Sequence, residues 1–169
     1  MGGAVPVHRL RPLTWNHRST ICHQEERSCR TPTRNRRNLR AVGNALAAAA
    51  TDFSRFGAAI FANDIACTIT GYGLVARASH GVDDLIEYAA RALFDRWDGT
   101  TAVETKGVWA DGDKVFVHMT SSARAVDGLP YANEYMYILM MLYGNVVVGT
   151  AWLDLYAYYD IIDRVNLPS

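Results

Sequence analysis

Apolar and polar positions alternate most persistently between Gly128 and Asp154. From Tyr131 to Tyr143 the odd positions are Tyr131, Asn133, Tyr135, Tyr137, Leu139, Met141 and Tyr143. The even ones are Ala132, Glu134, Met136, Ile138, Met140 and Leu142. A period of two rich in aromatic residues is the signature of a β-strand. Gly144-Asn145 then offers a pair tolerant of positive φ, so a tight turn is expected there. The β-branched run Val146 to Val148 opens a second strand that continues through Thr150, Trp152 and Asp154. Both faces of this hairpin are largely apolar, which predicts a sheet covered by helices on one side and by another surface on the other.

The period changes elsewhere. Val82, Leu85, Ile86, Ala89, Leu93, Phe94 and Trp97 follow helical spacing, with Asp83 and Asp84 in the first turn and Gly99 past the end. This predicts a helix over Val82 to Trp97. Strands are expected over Thr101 to Ala110 and Lys114 to Ala125, joined by the turn Asp111-Gly112-Asp113. Asn38 to Ala50 is alanine-rich and reads as a helix, followed by a short one through Phe61 with Asp52 as its cap. Asp64 to Thr70 reads as a strand ending at Gly71-Tyr72-Gly73, with Leu74 to Ala78 a further short strand. Helices followed by four long antiparallel strands make an α+β domain, with helices on one face of a curved sheet.

Composition adds a charge asymmetry. The chain has 169 residues, half of them apolar and a fifth charged, with a formal net charge of zero. Its first 40 residues carry nine Arg against two Glu, which leaves the remainder, with eight basic and fifteen acidic residues, clearly acidic. An acidic body offers little to a phosphate backbone, so no nucleic acid partner is expected. Residues 1–36 read as a disordered basic extension and 37–169 as the domain. Arg36-Arg37 precedes a segment too poor in Leu and Ile for an export signal. No apolar run approaches the ~20 residues that span a bilayer, and no membrane partner is expected. Cys22, Cys29 and Cys67 have neither CxxC spacing nor even number, so a reducing, cytoplasmic setting is the default. No metal and no cofactor is expected, since ligand spacing and a phosphate loop are both absent.

Gly128, Tyr131, Asn133, Tyr135, Gly144, Val146 and Asp154 together match G-x-x-Y-x-N-x-Y, eight intervening residues, G-x-I/V and a terminal Asp. This pattern resembles SnoaL-like members of the nuclear transport factor two superfamily, which include proteins like ketosteroid isomerase. The segment Phe61 to Ile65 and the G-x-D-D-L start at Gly81 resemble the front half of the same domain, and the likeness covers about residues 38–160. It implies a cone-shaped, mostly antiparallel sheet with about three helices on its concave side, a cystatin-like roll. The fold hosts isomerases, cyclases, dehydratases, epoxide hydrolases and binding proteins, so it selects no activity. Limonene-epoxide hydrolases are similar at the C-terminal end, where their catalytic Asp maps onto Asp154 and Leu167-Pro168 follows. Their Arg-x-Asp pair falls on His118 and Thr120. Ketosteroid isomerases carry a base where this chain has Ile69 and Thr70, and their second oxyanion residue maps onto Tyr137.

By the same resemblance the even face of Lys114 to Ala125, with Phe116, His118, Thr120, Ser122 and Arg124, should be concave. His118 is then the leading catalytic candidate, because imidazoles titrate near pH ~6.5 and can shuttle protons. Asp154 would orient it or act as a base, and its alternative is a cap at the end of the last strand. Tyr137, Asn133, Tyr135 and Tyr131 share one face and would position a carbonyl or enolate oxygen. Thr120 and Ser122 extend the polar stripe. Arg124 would meet a carboxylate or pair with Asp127.

The expected function is cofactor-free proton transfer, such as isomerisation, cyclisation or dehydration, on an apolar oxygenated polyketide, steroid or terpenoid. A non-catalytic binding or assembly module is the alternative, and an epoxide hydrolase with an altered triad is third. Val115, Val117 and Met119, expected on the convex face, predict a homodimer.

Overall fold

The computed structural model describes residues 20–167, with side chains from residue 32 onward. The first 19 residues of the basic extension, and Pro168, lie outside the described residues. In chain order the elements are α1 (Thr20–Ala49), α2 (Ser54–Ile60), β1 (Phe61–Ile69) and β2 (Ala78–His80). A continuous helical segment follows, made of α3 (Val82–Leu85), a π-helical turn (Ile86–Ala90) and α4 (Arg91–Phe94). Then come β3 (Ala102–Asp111), β4 (Lys114–Arg124), β5 (Pro130–Leu142), β6 (Asn145–Leu153) and α5 (Leu155–Arg164). The six strands form one sheet in the order β2-β1-β6-β5-β4-β3. Every pairing is antiparallel except β1 with β6. This is the expected α+β class, an open and mostly antiparallel sheet under helices.

Register decides which face is inside. On β4 and β5 the cross-strand pairs run Val117 with Tyr137, Met119 with Tyr135 and Ser121 with Asn133. Paired residues of an antiparallel ladder point to the same face, so odd positions of β4 go with odd positions of β5. Val115, Val117, Met119 and Leu139 are fully buried and pack with Val42, Ala45, Leu46 and Ala49 of α1, with Phe53 before α2 and with Phe56 of α2. The expectation that the even face of β4 is concave is therefore corrected. Phe116, His118, Thr120, Ser122 and Arg124 lie on the outer face, and Val115, Val117 and Met119 form core rather than a dimer surface.

Three further elements differ from the sequence reading. The β5–β6 turn is Tyr143-Gly144, not Gly144-Asn145, because Leu142 pairs with Asn145 and both turn residues take positive φ, 51° and 94°. Such a two-residue turn matches the strand twist. The helix at Asn38 starts instead at Thr20, and residues 34–38 belong to the domain. Asn35 donates to Ala110 O at 3.0 Å and accepts from Gly112 N at 2.9 Å, and Asn38 donates to Gly112 O at 3.0 Å. Arg34 meets Asp113 at 2.8 Å. These bonds fasten α1 across the β3–β4 turn, so the boundary at residue 36 falls inside a docked helix. Finally, α5 was not foreseen, although Leu155, Tyr158, Ile161 and Val165 are buried at helical spacing. Smaller shifts put the start of β1 at Phe61, β2 at Ala78–His80 and the end of the long helix at Phe94.

Candidate functional site

Between the sheet and the helices lies a cavity of about 180 Å³. Its floor is Cys67 and Ile69 of β1, Tyr135 and Tyr137 of β5, and Ala151 and Leu153 of β6. Phe53, which caps α2, with Phe56 and Gly57 of α2 form one wall, Leu85, Ile86, Ala89, Ala90 and Leu93 of the long helix form the other, and Tyr158 of α5 closes one end. The space exists because Gly57, Ala89, Ala90 and Ala151 are small where neighbouring positions carry rings. Ser54, Ala58 and Ile86 line the cavity and are also exposed, which puts its mouth between α2 and the π-helical turn.

Every titratable group on this lining is held neutral by burial. Removal from water pushes the Cys67 thiol up to about 11 and the Tyr158 phenol up to about 12. It also raises Tyr135 and carries Tyr137 well above the ordinary phenol value. Burial disfavours a charged thiolate or phenolate, so at neutral pH these groups are hydrogen-bond donors and not bases. Among the described residues the lining has no Asp, Glu, His, Lys or Arg.

Behind the floor runs a polar cluster. The Asn133 amide donates to Tyr131 Oη and to Asp154 O, each at 2.9 Å, and accepts from Asp154 N at 2.9 Å. Tyr131 Oη lies 3.1 Å from Tyr135 Oη, and Ser121 Oγ donates to Tyr135 Oη at 3.4 Å. Asn133 thus ties β5 to the β6–α5 junction with both amide N–H groups and its carbonyl oxygen engaged. Buried polar groups are satisfied in this way when they hold a fold together.

Of the nine candidate residues, Tyr135 and Tyr137 line the cavity. Tyr131 and Asn133 lie behind it in the polar cluster. Asp154 is exposed and is the N-cap of α5, its carboxylate accepting from Tyr156 N at 2.9 Å and Ala157 N at 3.2 Å. The sequence alternative placed Asp154 at the end of the last strand, and the structure adds the helix that its carboxylate caps. His118 is on the outer face, its Nε2 2.5 Å from Glu134 Oε1. Thr120, Ser122 and Arg124 share that face, and Asp127 pairs with Arg164 instead of Arg124. His118 and Asp154 are therefore not brought together in one cavity.

Sequence reasoning missed Cys67, Phe53, Phe56 and Tyr158. A signal for the first existed, since Ile65, Cys67 and Ile69 alternate as the buried face of β1. The two phenylalanines lie at the cap and within a seven-residue helix whose orientation no local pattern reveals. Among the described residues no group of three or more His, Cys, Asp or Glu could hold a metal ion, and no helix is long and apolar enough to cross a membrane.

No protein-family profile and no curated protein sequence matches the chain. Solved structures do. A protein from Jannaschia sp. CCS1 assigned as a SnoaL-like polyketide cyclase shares 16% identity over 79% of this chain and 96% of its own, with a TM-score of 0.59. An NTF2-like protein of unknown function from Burkholderia pseudomallei gives 19% identity, 75% and 97% coverage and a TM-score of 0.59. An LEH-like epoxide hydrolase of M. tuberculosis gives 19%, 77% and 92%, with a TM-score of 0.54. The chain has the NTF2-like fold, in the company of SnoaL-like and ketosteroid isomerase-like structures. At these identities the likeness extends to the fold, and neighbours with different activities share it.

Proposed function

We propose that this protein is a binding module that takes a small apolar molecule into the cavity and holds it without chemical change. One observation carries the reading: the titratable groups on the cavity lining are phenols and a thiol kept protonated by burial. Proton-transfer catalysis works best with a group whose pKa lies near the operating pH. The His and Asp side chains proposed for proton transfer, His118 and Asp154, sit instead on the outer face and at a helix cap. The lining suits ligand capture by burial: at about 0.8 kcal/mol per CH₂, a six-carbon ring gains about 5 kcal/mol before losses. A gain of that size corresponds to a Kd of about 0.2 mM, which the losses weaken.

Calorimetric titration with uncharged monocyclic compounds should give saturable binding, and Ala151→Phe, which fills the floor, should abolish it. Unaltered binding in that variant would sink the cavity reading. An enzyme of the SnoaL-like type is the second reading, favoured by the Tyr131, Tyr135 and Ser121 hydroxyls, which converge beside the cavity as donors to a developing oxyanion would. Incubation of ketones in D₂O separates the two. A module returns the ketone unlabelled, whereas an isomerase or cyclase washes deuterium into the α-carbon. Diol formation from a cyclic epoxide would mark the hydrolase.

A further inference from the structure

Resting on that binding reading, we infer that the ligand is an uncharged ring compound with one acceptor oxygen, which the Tyr137 hydroxyl recognises. Four hydroxyl-bearing residues line the cavity, and three of their hydroxyls are already engaged. Ser54 Oγ donates to Asp52 at 2.5 Å. Tyr158 Oη donates to Ala89 O at 3.0 Å. Tyr135 Oη accepts from Ser121 and shares a bond with Tyr131. Tyr137 Oη has no hydrogen-bond partner among the described residues, where the occluded and unpartnered side-chain atoms are Asn38 Oδ1 and Trp97 Nε1. The Tyr137 oxygen is therefore accessible, and the accessible space beside it is the cavity.

The ring of Tyr137 is fixed. It stacks on Tyr135 with centroids 6.0 Å apart and planes 4° from parallel, and Phe56 packs 5.8 Å away on the cavity side. A phenol held in place with an unused O–H in apolar surroundings selects a ligand that brings an acceptor. The matching groups are ketones, esters, ethers and quinone carbonyls. Carboxylates, phosphates and ammonium groups are refused, since no opposite charge lines the cavity to replace their water. Size follows from volume: a cavity of about 150 Å³ takes benzene, so 180 Å³ takes a six-membered ring with a short substituent.

Three probes test this on the full chain: cyclohexanone, its hydrocarbon counterpart methylenecyclohexane, and cyclohexanecarboxylate. Tyr137→Phe should weaken cyclohexanone about tenfold and leave methylenecyclohexane within about twofold, the loss of one hydrogen bond. Tyr158→Phe, whose hydroxyl is spent on Ala89, should not alter the ratio between the two. Cyclohexanecarboxylate should bind to neither protein. Equal losses for both neutral probes, no loss for either, or binding of the carboxylate would each overturn the inference while the cavity reading stands. Failure of methylenecyclohexane to bind the unaltered protein would overturn both. A measurement without any variant is the infrared carbonyl stretch of bound cyclohexanone. It should fall below its position in hexane, and coincidence with the hexane position would also overturn the assignment.

Discussion

The two faces of β4 and β5 have similar sequences and opposite fates. The inner face carries Val115, Val117, Met119 and Ser121 beside Tyr131, Asn133, Tyr135 and Tyr137. The outer carries Phe116, His118, Thr120 and Ser122 beside Ala132, Glu134, Met136 and Ile138. Each mixes rings, aliphatics and hydroxyls, but His118 and Glu134 stand on the outer face alone. The difference lies in how polar groups are satisfied. Inside, Ser121, Asn133 and the tyrosines bond one another. Outside, His118 is a third exposed and pairs with a more exposed Glu134. A polar stripe on a strand thus marks a pocket only once its pairing partner is known.

The largest expected effect comes from breaking the inner face. Met119→Lys places an unpaired charge at a fully buried position and should prevent folding at room temperature, and Met119→Ala should cost about 2–5 kcal/mol. Thr120→Lys, one residue away on the outer face, should stay within about 0.5 kcal/mol in urea denaturation. Alkaline pH attacks the same face. The buried phenols and the Cys67 thiol have raised values in the folded chain, so the unfolded chain releases their protons first. Stability is thus complete below pH 9 and falls as Cys67 passes from 9.0 to about 11 and Tyr158 from 10.0 to about 12. Melting temperatures measured from pH 8 to 11 should decline across that window, and Cys67→Val should flatten its lower part.

Next in size is Asn133→Ala, which strips three bonds from buried or junction groups and should cost about 3 kcal/mol by denaturant titration. The smallest effect should come from His118→Ala. It removes a half-exposed pair, changes stability by less than about 1 kcal/mol and leaves ligand affinity unaltered. A loss of turnover or binding in that variant would restore the outer face to the functional site and dissolve the contrast.

Much of the fold was legible because it rests on local periods. The alternation from Tyr131, the helical stripe from Val82 and the Asp111-Gly112-Asp113 turn each predicted their element within a few residues. The inside of β4 was not legible, because parity there depends on the ladder from Arg124 with Pro130 onward and hence on the five-residue loop between. A slip of one residue in a strand's register exchanges its two faces. The helix α5 was hidden by its tyrosines, which suit a strand as readily as a helix. Its start was nonetheless written in Asp154, read as a base when its carboxylate caps the chain. In the site, Tyr135 and Tyr137 followed from the strand face. The cavity itself depends on small residues of four elements meeting, which no single stretch encodes.

The wall facing α2 has a kinetic consequence. No residue of α3 or of the π-helical turn is buried, and Ile86 and Tyr88 are 42% and 53% exposed. The segment is secured at its rim, by Tyr158 on Ala89 O, by Arg77 on Asp84 at 3.1 Å and by Arg77 stacked 4.0 Å over Tyr88. A segment with so little buried surface opens at a small fraction of the global unfolding free energy. Under the proposed binding reading, residence time would follow this rim while stability follows the sheet, so affinity and exchange rate could drift apart as the sequence varies.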